Sequence, residues 1–202
     1  MPLAINFELS DRDLEHFNQA IKAAAFSAGS KSAEEIVTAA GKLLEEACKV
    51  ELPDFIAVRL DKLDALIAML KDEGWALPEE DRNRVLSALV YFADPKDIIQ
   101  DNVPVLGYFD DAIAIELCVK ELRHELDAYD EFCDFRQNEA ERRGLNPANV
   151  GRADWLNNRR DELQSRMHRQ RSRDFGTGYG NSSGYAREGY ANPWRPSLLR
   201  VR

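Results

Sequence analysis

The 202-residue chain is poor in the residues that most soluble catalysis and extracellular stapling depend on, with only three histidines and three cysteines. Cys48, Cys118 and Cys133 form an odd set without metal-ligand spacing, which argues against a disulfide framework or a cysteine-rich zinc site and points to a reducing cytoplasm. Long apolar runs are missing too: between Asp101 and Asp110 the uncharged stretch is eight residues, far short of the ~18 or more that a spanning helix needs. The amino terminus has no signal-peptide pattern. Nor does the chain carry a Gly-rich phosphate loop, a nucleophile elbow or an adjacent base and nucleophile. Together these absences point away from a membrane span and away from an enzyme.

Strand patterns are equally scarce. Leu3, Ile5, Phe7 and Leu9 alternate with polar or small residues, so residues 1–9 read as a short strand-like arm. A lone strand has unpaired edges. It would pair with another copy or the tail, or lie extended against helices.

What is present is charge and helical periodicity. The net charge of −9 conceals an asymmetry, because from Arg152 onward there are 11 arginines against 5 acids, which leaves −15 before it. The two parts are suited to different partners or to each other. Ser10 caps a first helix with Leu14, Phe17, Ile21 and Ala25 at helical spacing up to Gly29. Ser32 and Glu35 form a capping box for a second with Ile36, Leu43, Ala47 and Val50. Pro53 opens a third, with Ile56, Leu60, Leu63, Ile67 and Leu70 on one face. Pro78 followed by Glu79, Glu80 and Asp81 opens a fourth, since carboxylates suit the positive end of a helix.

A long helix is expected from Tyr108 to Gly144, roughly 35 residues and about 50 Å. Its face carries Ile115, Val119, Leu122, Leu126, Tyr129 and Cys133. Such a length predicts that its last third projects or meets another copy. Cys118 and Cys133 would lie roughly 22 Å apart on it, too far to bridge, and read as core thiols. The class is all-α: an acidic helical domain over 10–144, a basic helix over 145–174, and a Gly/Tyr/Arg-rich tail over 175–202 too poor in apolar residues to fold alone.

Between Asp94 and Asp111 the pattern breaks, with five aspartates, two prolines and a glycine inside an apolar run. Structurally, Asp94 caps a short helix begun by Pro95, Val103 is extended before Pro104, Gly107 turns the chain, and Asp110 and Asp111 occupy a new first turn. Chemically, Asp94, Asp97, Asp101, Asp110 and Asp111 could converge on a divalent cation, as oxygen ligands suit magnesium, calcium or manganese. The spacing matches no EF-hand loop, and no histidine stands nearby. Glu121-Leu-Arg-His124 is a single copy of the Glu-x-x-His pattern that di-iron bundles use twice, and Asp13-Leu-Glu-His16 is a poor second copy.

The run Asp94-Pro95, Asp97-Ile98-Ile99, Asp101, and Val103-Pro104-Val105-Leu106-Gly107-Tyr108-Phe109-Asp110-Asp111 resembles the signature of the YkvA-like family, a small bacterial domain of unknown function. The likeness covers about residues 90–120, with Gln100 where that family has proline. It implies an all-helical fold with a tight corner and brings no activity, cofactor or catalytic residue. Some relatives are membrane-associated; the charge of this chain argues against carrying that over.

The carboxyl region offers binding chemistry. Arg159, Arg160, Arg166, Arg169, Arg171 and Arg173 precede Tyr179, Tyr185 and Trp194. Arginine interleaved with aromatics suits single-stranded nucleic acid, by phosphate contact and base stacking, and suits an acidic protein as well. The leading expectation is a non-enzymatic cytoplasmic interaction or regulatory protein, binding a protein partner or self-assembling through the long helix and basic tail. The alternatives are a nucleic-acid module working through 152–202 and a metal-dependent hydrolase using the aspartates.

Overall fold

A computed structural model describes residues 9–27, 31–93 and 106–176. Seven α-helices occur among the described residues: α1 (Asp11–Ser27), α2 (Ala33–Ala47), α3 (Asp54–Lys71), α4 (Glu79–Leu89), α5 (Phe109–Glu121), α6 (Arg123–Arg142) and α7 (Asp154–Gly176). Short 3-10 turns lie at Val90–Ala93, Leu106–Tyr108 and Pro147–Asn149. No strand occurs among the described residues, so the all-α class holds. The strand-like arm over 1–9 lies outside them except for Leu9, which is exposed.

The helix starts follow local chemistry. Ser10 and Asp13 cap α1 reciprocally, the Asp13 carboxylate accepting from the Ser10 amide at 2.9 Å and hydroxyl at 2.7 Å. The Ser32–Glu35 capping box at α2 is complete, at 2.7 and 3.2 Å. The carbonyl of Pro53 accepts the amides of Ile56 and Ala57 at the head of α3. Asp110 and Asp111 stand in the first turn of α5, where the exposed amides and helix dipole favour negative charge.

Contacts gather into two compact units, Met1–Leu60 with Leu86–Cys118 and Asp61–Val85 with Val119–Arg202. These limits run through α3, α4 and α5. In the first unit the Val90–Ala93 turn packs on α1 and α2, and Lys31 Nζ donates to the Ala93 carbonyl. Ala112, Ile113, Ala114 and Ile115 are buried in succession, as in a helix enclosed on all sides. Arg59 pairs with Glu116 at 3.1 Å, and Cys118 Sγ donates to the Ala88 carbonyl at 3.4 Å.

In the second unit the expected single long helix is two. Leu122, with φ −100° and ψ 20°, separates α5 from α6. No proline or glycine stands there, and Leu122 is fully buried, so local sequence carries no signal of the break. The last third does not project: α6 packs on α7 of the same chain. The reason is the stripe Leu156, Leu163 and Met167 on α7, each fully buried, which needs an apolar surface to cover. Gly144 ends α6 as anticipated, with φ +66°. The amide of Leu145 returns to the Ala140 carbonyl at 2.8 Å and that of Gly144 to Glu141 at 3.0 Å, a Schellman arrangement that favours glycine in the left-handed region. Cys118 and Cys133 are buried thiols, while Cys48 is exposed.

Candidate functional site

The densest chemistry among the described residues lies in the second unit, where three acids are buried in contact with cations distant in sequence. Asp72 follows the last residue of α3, and its Oδ1 accepts the amides of Gly74 at 2.9 Å and Trp75 at 3.3 Å. This aspartate turn redirects the chain toward α4. The same carboxylate receives Arg136 Nη1 at 2.7 Å and the Tyr129 hydroxyl at 2.9 Å. Trp75 packs on Phe132 and Tyr129, with ring centroids 5.1 and 5.9 Å apart.

Burial opposes the charge of Arg136, yet the Cys133 sulfur and the Asp72 carboxylate outweigh it and hold the guanidinium above its ordinary value. Burial also pushes the Tyr129 phenol up and the Cys133 thiol up to about 12. A thiol so protonated is inert as a nucleophile. The Cβ of any larger residue at Gly74 would stand 3.0 Å from the Gly151 carbonyl oxygen and 3.1 Å from Asp72 Oδ1, so these neighbours would have to give by a few tenths of an ångström.

A second cluster surrounds Asp81 and Glu125, both fully buried. Arg171 Nη1 reaches Asp81 Oδ1 at 2.5 Å and Glu125 Oε1 at 2.9 Å, and its Nη2 reaches exposed Glu80 at 3.2 Å. Arg84 Nε adds a contact to Glu125 at 3.2 Å. His168 Nε2 lies 2.6 Å from Asp81 Oδ2. Desolvation works against the Arg171 charge, but the hydrogen bonds to Asp81 and Glu125 raise it above its usual value. Asp81, expected only as a helix-start acid, therefore anchors α7 as well.

Other side chains of the carboxyl region are engaged as well. Three successive carbonyls of the α3–α4 turn are held by side chains of the carboxyl region: Glu73 by Arg152 at 3.3 Å, Gly74 by Arg160 at 3.4 Å and Trp75 by Gln164 at 2.9 Å. Arg159 lies 3.5 Å from Glu131, which also receives Arg166. Near the helix end, Asp174 accepts from Arg123 and from His124 at 2.8 Å. The His124 bond first and the Arg123 bond next hold its carboxyl below the ordinary range.

The residues singled out by sequence thus separate. Arg159, Arg160, Arg166 and Arg171 face acids or carbonyls of their own unit, while Arg169 and Arg173 are exposed. Tyr179, Tyr185 and Trp194 lie outside the described residues, as do Asp94, Asp97 and Asp101. Asp110 and Asp111 are buried, Asp110 Oδ2 being 3.5 Å from the Tyr91 hydroxyl. No group of three His, Cys, Asp or Glu among the described residues could hold a metal ion. The sequence reading missed Asp72, Glu125 and Arg136. Glu125 and Arg136 fall in the same helical register as Leu122, Leu126, Tyr129 and Cys133, so the period that located the core stripe also marked them.

Residues 84–117 match the family model described as a protein of unknown function, DUF1232. The match supports an uncharacterised small domain family for that stretch. It includes Arg84, Asp110 and Asp111 and leaves out Asp72, Asp81, Glu125, Arg136 and the whole of α7. No curated protein matches the chain, and no solved structure does. No described helix is long and apolar enough to cross a membrane.

Proposed function

We propose that this chain is a non-enzymatic interaction protein whose helical body carries the segment 177–202 to a protein partner. The observation behind this reading is the engagement of α7: Arg159, Arg160, Arg166 and Arg171 pair within their own unit. A helix whose cations are already matched makes a poor phosphate-binding surface, which favours a protein partner over nucleic acid. The segment beyond it brings Arg187, Arg195, Arg200 and Arg202 against Glu188, with three tyrosines and Trp194. Arginine, tyrosine and tryptophan are the residues most enriched at binding hot spots.

The stretch around Asp94–Asp111 we read as a YkvA-like module of bacterial type. Three free cysteines suit a reducing compartment, and the cytoplasm is part of the same reading.

The test compares affinity capture by the full chain, by a chain ending at Gly176 and by the Trp194→Ala variant. One protein retained by the full chain, and lost with either change while the melting temperature stays constant, is the expected result. Retention of nuclease-sensitive material with steep salt dependence would instead establish the nucleic-acid reading. Capture undiminished by truncation would place the binding surface on the body.

A further inference from the structure

We infer that the α3–α4 turn of the second unit holds a small binding site for a phosphate-type oxyanion. Lys71, Arg82 and Arg152 line an open recess of about 330 Å³ at this turn. Its size is at the lower end for ligand sites, suited to a compact anion rather than an extended molecule. Three cations converging there stand out in a chain whose charge before Arg152 is −15.

Each of the two guanidiniums is tethered by one hydrogen bond. Arg82 Nη1 donates to the Leu70 carbonyl at 2.9 Å, and Arg152 Nε donates to the Glu73 carbonyl at 3.3 Å. Each of these bonds uses one N–H of the five that a guanidinium carries, and the rest of the fork is the group that matches phosphate oxygens in pairs. Anchoring by a neutral carbonyl adds no countercharge, in contrast to Arg171 and Arg136, which are anchored by carboxylates. Lys71 is the last residue of α3 and exposed, adding an adjustable point charge.

Two acids share the recess. Asp72 is neutralised by Arg136 at 2.7 Å, so its charge does not repel a ligand fully. Glu73 is exposed on the rim and limits affinity. Ala76, also in the lining, has φ +45°, a left-handed conformation that a non-glycine residue adopts at a cost and that concentrates at ligand-holding turns.

The experiment is calorimetric titration of the full chain with inorganic phosphate and, separately, with glycerol 3-phosphate, in chloride buffer of constant ionic strength. Saturable binding is expected, with Arg152→Gln and Lys71→Gln weakening it by about tenfold and a few-fold, and Glu73→Gln strengthening it. The gain in Glu73→Gln guards against loss through misfolding. Arg169→Gln, an exposed α7 arginine outside the recess, should bind as the unaltered chain does. Equal affinity for both ligands indicates recognition of the phosphoryl group alone, and preference for the ester indicates a small phosphorylated molecule; either supports the site. No saturable binding, an equal loss in Arg169→Gln, or no gain in Glu73→Gln overturns it.

Discussion

The acids at the start of α5 and the acids that anchor the second unit are all buried, yet they are stabilised in different ways. Asp110 and Asp111 are adjacent in the first turn of α5, where the helix dipole favours negative charge, and Asp110 lies 3.5 Å from the Tyr91 hydroxyl, 19 residues away. Asp72, Asp81 and Glu125 meet Arg136, Arg171 and Arg171 from 64, 90 and 46 residues away. Clustering in sequence marked helix starts, Asp81 in the first turn of α4 among them, but did not distinguish the acids that tie helices together. A buried charge with a distant partner is also more consequential, because removing one member strands the other in a medium that solvates it poorly.

The sharpest challenge to that comparison is Arg136→Met, which leaves Asp72 buried without its cation. Denaturant unfolding should show a loss of about 3–5 kcal/mol, and Asp72→Asn combined with Arg136→Met should lose less than the sum of the single changes. A loss within experimental error for Arg136→Met would break the distinction. Next comes Arg171→Met, which leaves Asp81 and Glu125 with His168 and Arg84 alone. A loss of about 2–3 kcal/mol is expected, with faster amide exchange over the carboxyl half of α7 than over α2. Asp110→Asn keeps an acceptor for Tyr91 and removes only the charge, so about 1 kcal/mol is expected from the helix-start effect.

The smallest effect concerns Asp134 on α6, whose carboxyl is raised by partial burial first and then by Asp130 and Glu131. A group whose folded pKa lies above its unfolded value disfavours folding when ionised. Asp134→Asn should therefore be more stable than the unaltered chain above pH 5 by a few tenths of a kcal/mol, since solvent screens an exposed group. The difference should vanish as pH falls below the unfolded carboxylate value of about 4. A difference that grows with acidity would contradict the assigned cause.

Helix starts were legible because each depends on residues within one turn: Ser10 with Asp13, Ser32 with Glu35, and Asp110 with Asp111. Gly144 was legible for the same reason, since the left-handed stop needs no distant partner. The break at Leu122 was not, as nothing at Glu121-Leu122-Arg123 disfavours a helix. A helix, α7, stands over the basic run, and Arg159, Arg160, Arg166 and Arg171 on it meet acids or carbonyls of their own unit. Whether Arg166 meets a partner or Glu131 depends on where α6 lies beside α7. Glu125 and Arg136 were visible as positions on the buried face of α6 and unreadable as ion-pair members, because their partners come from other helices.

By itself the sequence determined the all-α class, the capped helix starts, the glycine stop after α6 and the uneven charge, all consequences of interactions within about one turn of chain or of composition alone. Tertiary structure decided that the long apolar face is divided at Leu122, that α6 packs on α7, and that most of the arginines of α7 serve acids and carbonyls of their own unit. Those outcomes depend on packing between segments distant in sequence, 35 residues apart for Glu131 with Arg166 and 46 for Glu125 with Arg171, where burial makes a matched charge favourable and an unmatched one prohibitive.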